Sequence, residues 1–233
     1  MTASPLTLAS DAIHLWWAWV PDLADDAGDA LLDSDERARA ARFVVEPPRQ
    51  RFVAFRVLAR RLLGDYTEQD PAAIRFTFGR HGKPALDHPR APAFNAAHSA
   101  DLVVLAVTRA ARVGVDLERL RPMPRAAALA ARFFTVAEHA HVAALAGGPR
   151  DRSFLHCWTC KEAVLKAIGT GLSVPPREVE VTPDPDRPLR VLTVPDGDPG
   201  AWSLLPVATH PDYLCTIAIE GAGWRVVTRR YQP

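Results

Sequence analysis

The apolar positions along the chain change period several times, and each change predicts an element. "AIHLWWAWV" (residues 12–20) is rich in aromatic side chains of the kind a half-buried sheet favours, and it reads as a strand. "DSDERARAARF" (33–43) predicts a short helix capped by Asp33 or Ser34. Pro47 and Pro48 then open "PPRQRFVAFRVLARRLL". Here Phe52, Phe55, Ala59 and Leu62 recur at helical spacing, with arginines on the opposite side, so the segment predicts an amphipathic helix. A strand-like "AIRFTF" (73–78) follows, then a turn "GRHGKP" (79–84), a buried strand "DLVVLAV" (101–107) and a short strand "VGVDLE" (113–118).

The second half repeats the plan. A helix "RSFLHCWTCKEAVLKAIG" (152–169) is followed by a Pro-initiated strand "PREVEV" (176–181), as the earlier helix is followed by "PAAIRFTF". "HPDYLCTIAIE" (210–220) mirrors "HSADLVVLAVT" (98–108), both being His-x-x-x-Leu openings into an apolar strand. The pattern favours two α+β halves, 1–112 and 113–233, joined near residues 109–113. A site is then expected at their junction.

Composition narrows the function classes. Of the residues, 48% are hydrophobic and 24% charged, and 28 basic stand against 27 acidic, so no net field points to nucleic acid or membrane. No apolar run reaches transmembrane length, and the N-terminus lacks the basic segment of a secretory signal; a soluble cytoplasmic protein is expected. Arginine supplies nearly all the positive charge. The three lysines, Lys83, Lys161 and Lys166, therefore draw attention.

In "GVDLE", Asp116 and Glu118 share one strand face, roughly 6.6 Å apart at Cα. Two such carboxylates repel unless a cation sits between them, and a hard divalent ion would serve. Taken alone, the plainer reading is a wet strand end beside Arg119 and Arg121. Trp158, Glu162 and Lys166 share a helix face at i, i+4 and i+8. They read either as a salt-bridged surface or as a third carboxylate with a phosphate-binding lysine. His98 and Ser99, placed just before a buried strand, and Lys83 in its Gly–Pro turn are capping or exposed residues, or else phosphate donors. Cys157 and Cys160 form CxxC, yet nothing at zinc spacing accompanies them and they lie inside a helix, so packing is expected. Walker A and GxGxxG sequences are absent.

Together, "GKP…FNAAHS", "GVDLE" and "WTCKEAVLKAIGTGL" resemble the 4′-phosphopantetheinyl transferase superfamily. The likeness is to its long, pseudo-dimeric Sfp-like branch of the W/KEA type, over about residues 33–180. The resemblance implies an α+β fold with pseudo-two-fold duplication, each half a small, mostly antiparallel sheet against a long helix. The first half would contact coenzyme A and the second would carry the metal and the catalytic helix. It implies transfer of the phosphopantetheine arm of coenzyme A to a serine of an acyl or peptidyl carrier protein, by a monomer using Mg²⁺ or Mn²⁺. Asp116, Glu118 and Glu162 would hold the metal, Glu162 would act as base and Lys166 would stabilise the pyrophosphate. Arg51, Lys83, His98, Ser99, Lys161 and Lys166 would contact the coenzyme, with Arg37, Arg39 and Arg42 as looser candidates. Residues 121–145 would form the carrier-docking segment or a packed helical connector. Ala97 departs from the serine often found there. Two rivals are a non-catalytic carrier-binding homologue, which predicts loss of one acid, and an unrelated Mg²⁺-dependent phosphatase or nucleotide hydrolase.

Overall fold

The computed structural model describes residues 6–23, 26–109 and 112–232, so part of the expected junction at 109–113 lies outside the described residues. In chain order the first half contains β1 (Ala12–Trp19), α1 (Asp26–Leu31), α2 (Ser34–Ala40), α3 (Glu46–Thr67), β2 (Phe76–Phe78), β3 (Pro84–Leu86), β4 (Ala93–Ser99) and β5 (Leu102–Thr108). The second contains β6 (Val113–Arg119), α4 (Ala126–Phe133), α5 (Val136–Ala144), α6 (Gly147–Ile168), β7 (Glu180–Val181), β8 (Val191–Thr193), β9 (Trp202–Pro206) and β10 (Tyr213–Glu220). The order strand, two short helices and a long helix, small hairpin, two strands thus occurs twice. The antiparallel sheets match as well, β1-β5-β4 in one half and β6-β10-β9 in the other. β11 (Arg225–Arg230) crosses back and pairs parallel with β1, an exception to the 112/113 division that hydropathy alone did not foresee.

The two sheets face each other and the long helices cover their outer faces. Side-chain alternation makes this possible. In β5, Leu102, Val104 and Ala106 point between the sheets, while Val103, Leu105 and Val107 point toward α3. In β6, Val113, Val115 and Leu117 enter the same inter-sheet core. That leaves Gly114, Asp116 and Glu118 on the face toward α6. The His-x-x-x-Leu mirror does not follow this symmetry, because Leu102 lies between the sheets whereas Leu214 packs on the α6 side.

Two predicted strands shorten on folding. The strand expected at 73–78 shrinks to Phe76–Phe78, preceded by a 3₁₀ turn at Pro71–Ala73 whose Asp70 side chain accepts from Ala72 N. The strand expected at 176–181 likewise becomes a 3₁₀ turn and two paired residues. In both places buried cations claim the backbone carbonyls that a longer strand would use: Arg60 takes Pro71 O and Ile74 O, and Lys161 takes Val179 O. His98 and Ser99 close β4, just before the buried strand β5. Among the described residues no helix is long and apolar enough to cross a membrane.

Candidate active site

The site forms where β6 meets α6, and glycine permits that meeting. A Cβ on Gly114 would lie 2.1 Å from Ala163 O and 2.4 Å from Ala167 N, so any side chain there would push the helix off the strand. With the helix so close, Lys166 reaches across and its Nζ donates to Asp116 Oδ1 at 2.6 Å and to Val115 O at 3.3 Å. Asp116 is buried, and its other oxygen, Oδ2, has no hydrogen-bond partner. Burial pushes its carboxyl up to about 7; Lys166 opposes the rise, and the charges of Glu162 and Glu118 add to it. Burial also raises Glu162, again with Lys166 opposing and Glu118 adding. Three carboxylates therefore feel one another across the β6–α6 seam.

Glu118 is held from the other half. Ser99 donates its hydroxyl proton to Glu118 Oε2 at 3.0 Å, and Arg121 Nη1 lies 2.7 Å from the same oxygen. As placed, no three Asp, Glu, His or Cys side chains among the described residues stand close enough together to hold a metal ion. Asp116, Glu118 and Glu162 thus do not converge on one point as placed. Both β6 carboxylates are tied to protein donors instead, Asp116 to Lys166 and Glu118 to Ser99 and Arg121. The chemistry of the donor set still fits a hard divalent ion: its donors are carboxylate oxygens, and one of them, Asp116 Oδ2, is buried without a partner.

A cleft of about 340 Å³ opens beside this seam, lined by Arg39, Arg51, Arg56, Phe52, Ala97 and His98 among others. His98 is exposed at its rim. Desolvation lowers the imidazole's pKa, the charges of Arg51 and Lys166 lower it further, and Glu118 works the other way. Arg51 and Arg56 carry buried guanidinium nitrogens with no hydrogen-bond partner. Arg56 lies within 5.1 to 5.8 Å of the ring centres of Phe52, Phe55, Phe76 and Phe78, and its Nε is 3.4 Å from Glu36. Arg39 stacks on Phe52, whereas Arg37 turns away to Leu32 O. Neither Arg56 nor Arg121 was among the expected site residues. The available signal for Arg56 was an arginine on the apolar side of an amphipathic helix.

Two expected coenzyme contacts lie elsewhere. Lys161 is fully buried and its Nζ is 2.5 Å from Glu138 of α5, on the side of α6 away from the cleft. One residue is about 100° round a helix, so Lys161 and Glu162 serve different neighbours. Lys83 spends its ammonium on Val113 O at 2.9 Å and Ala167 O at 3.1 Å, tying the start of β6 to the last turn of α6. Burial lowers it to about 8, with Arg112 adding to the shift. Cys157, Cys160 and Cys215 are buried free thiols; burial pushes Cys160 up to about 12 and Cys157 well above its ordinary range, as packing residues require.

A duplicated α+β frame with a carboxylate–lysine seam in its second half and a cationic cleft lined by its first half defines a class, and sequence comparison gives it a family. Residues 112–218 match the model of the 4′-phosphopantetheinyl transferase superfamily, and residues 18–110 match that of the 4′-phosphopantetheinyl transferase N-terminal region. The chain belongs to this superfamily. It is 37% identical over 225 residues to 4′-phosphopantetheinyl transferase HetI of Nostoc sp., covering 94% of this chain and 92% of that protein. It is 27% identical over 195 residues to 4′-phosphopantetheinyl transferase Sfp of Bacillus subtilis, covering 79% and 85%. A holo-(acyl-carrier-protein) synthase from Bacillus anthracis, solved with CoA (3′,5′-ADP), matches with a TM-score of 0.36 and 20% identity over 47% of this chain and 96% of that one.

Proposed function

We propose that this protein transfers the 4′-phosphopantetheine arm of coenzyme A to a serine of an acyl or peptidyl carrier protein, in the cytoplasm and as a monomer. The observation that carries the reading is Asp116: a buried carboxylate with one oxygen on Lys166 and the other unpartnered, electrostatically coupled to Glu162 and Glu118. Asp116, Glu118 and Glu162 would hold Mg²⁺ or Mn²⁺, and the ion when bound would offset charge on the diphosphate. Glu162, its pKa raised by burial, would take the proton of the carrier serine. The serine oxygen then bonds to the phosphorus that bears the pantetheine, and the bond from that phosphorus to the bridging oxygen breaks. Adenosine 3′,5′-bisphosphate leaves with that oxygen and the electron pair. Lys166 would stabilise the negative charge during this step. Arg51 and His98, on the cationic cleft, would bind the phosphates of the nucleotide part.

The carrier's serine would arrive beside Glu118, where a groove of about 200 Å³ is lined by Arg121, Met123, Leu129, Phe133 and Trp158. Trp158 stacks on Phe154 and meets Phe133 edge-on, so this wall is rigid and aromatic.

Intact mass spectrometry of an apo carrier protein incubated with this protein, CoA and Mg²⁺ tests the reading. One phosphopantetheine is gained with the wild type, and Glu162→Gln slows the gain by about 10²–10⁴-fold. No gain with acyl or peptidyl carriers, in Mg²⁺ or Mn²⁺, overturns the transferase reading in favour of a non-catalytic carrier-binding homologue.

A further inference from the structure

β6 ends its own sheet, pairing with β10 on one side only, and β4 of the other half runs alongside its free edge. A free strand edge leaves backbone groups that need partners. Here side chains of the first half supply them. Val113 O accepts from Lys83 Nζ at 2.9 Å, Val115 N donates to Asn95 Oδ1 at 2.9 Å, and Arg119 N donates to Ser99 Oγ at 3.1 Å. These residues are two and four apart in β6, the spacing at which backbone groups point to the same edge.

At Ser99 this stitching reaches the site. Its oxygen already accepts from the Arg119 amide, which fixes the hydroxyl beside β6. The hydroxyl has a single proton to give, and that proton goes to Glu118 Oε2 at 3.0 Å. A coenzyme phosphate contacted by Ser99 would have to take the proton from Glu118. Arg121 Nη1 supports the same carboxylate oxygen but hangs on a half-exposed side chain, whereas Ser99 sits on a strand.

We propose that Ser99 is a positioning residue for Glu118: the first half uses it to fix a carboxylate that the second half contributes to the site, and it makes no contact with coenzyme A. The inference rests on the reading of Glu118 as a cation ligand. Asn95 and Lys83 fix the backbone of the same strand, and Ser99 alone of the three touches a carboxylate of the site.

The test uses the full chain with Ser99→Ala, Ser99→Thr, Glu118→Gln and the Ser99→Ala/Glu118→Gln double variant. Readouts are kcat, KM for CoA and the Mn²⁺ requirement in carrier modification, Mn²⁺ binding without CoA by electron paramagnetic resonance, and thermal unfolding of the ligand-free protein. Ser99→Ala is expected to weaken Mn²⁺ binding and lower kcat by about 10-fold, the lower end for a group that orients a metal ligand. KM for CoA stays within about twofold of wild type, on the reasoning that only contacts made equally in ground and transition states move KM alone. Ser99→Thr, which keeps the hydroxyl, recovers most of the loss, and Ser99→Ala has little further effect once Glu118 is Gln. A rise in KM for CoA with Mn²⁺ binding unchanged would make Ser99 a coenzyme contact and overturn the proposal. Fully additive effects of Ser99→Ala and Glu118→Gln would overturn it too. If the wild type modifies no carrier, the proposed function fails, while additivity in unfolding and Mn²⁺ binding still decides for or against the Ser99–Glu118 coupling.

Discussion

Each half has one cation on its long helix with no exposed surface at all, Arg60 or Lys161, and the surroundings of the two match. Arg60 on α3 is fully buried and bonds Glu36 at 2.7 Å; Lys161 on α6 is fully buried and bonds Glu138 at 2.5 Å. Both glutamates occupy the third position of a capping box, Asp33–Glu36 opening α2 and Thr135–Glu138 opening α5. Both cations also bond carbonyls of the segment after the long helix. Charge, cap and returning segment are thus locked together twice by one design. The halves differ on the helix face that meets the first strand. In the first half β1 turns Ala12, Trp16 and Ala18 toward α3, and the polar atoms there satisfy one another, His14 Nδ1 lying 2.6 Å from a Tyr66 hydroxyl that accepts from Trp16 Nε1 at 2.9 Å. In the second half the same kind of face carries Gly114, Asp116, Glu118, Glu162 and Lys166, with Asp116 Oδ2 left unsatisfied. The frame is duplicated, whereas the residues proposed for the chemistry fall on one copy of the seam only.

Removing the cations puts the likeness of the two frames under the greatest strain. Lys161→Met should lose about 3–5 kcal/mol of stability in denaturant titration, because it strands buried Glu138, and Arg60→Met should lose less, because Arg56 still lies 3.4 Å from Glu36. A large loss from one and none from the other would mean that the repeat is geometric only. In Lys161→Met/Glu138→Leu the recovery should be incomplete, since Val181 N also depends on Glu138 at 2.8 Å.

Gly114→Ala sharpens the contrast between the seams. Its Cβ would meet rigid backbone of α6, so a loss at or above about 1–3 kcal/mol is expected, with carrier modification falling in parallel. Gly148→Ala, where nothing lies within 4 Å, is the control and should be neutral or slightly stabilising.

The smallest effect is expected at Lys83. Its folded pKa of about 8 lies below the ordinary 10.5, so between these values the unfolded chain binds more protons and stability from this group rises with pH. The melting temperature of the wild type relative to Lys83→Met should therefore climb from pH 7.5 toward pH 10. A flat difference would show that burial does not disfavour the ammonium.

Much of this frame was legible beforehand. The periodicities at Phe52–Leu62 and in "DLVVLAV" fixed a long helix and a buried strand, and "GVDLE" with "KEAVLK" marked the carboxylates and the lysine that the fold brings to one seam. The shortened strands at 76–78 and 180–181 were not legible, because the cations that claim their neighbouring carbonyls lie 11 to 18 residues away on helices. Nor was the pairing of β11 with β1, which joins residues at opposite ends of the chain.

The lysines show the division most clearly. By itself the sequence determined that only Lys83, Lys161 and Lys166 carry ammonium groups, and that Lys166 shares a helix face with Glu162. Tertiary structure alone decided their work: Lys161 locks α5 to α6, Lys83 ties the two halves, and Lys166 reaches Asp116. The physical reason is that helical periodicity says which residues share a face, whereas what covers that face comes from strands and loops distant in the chain.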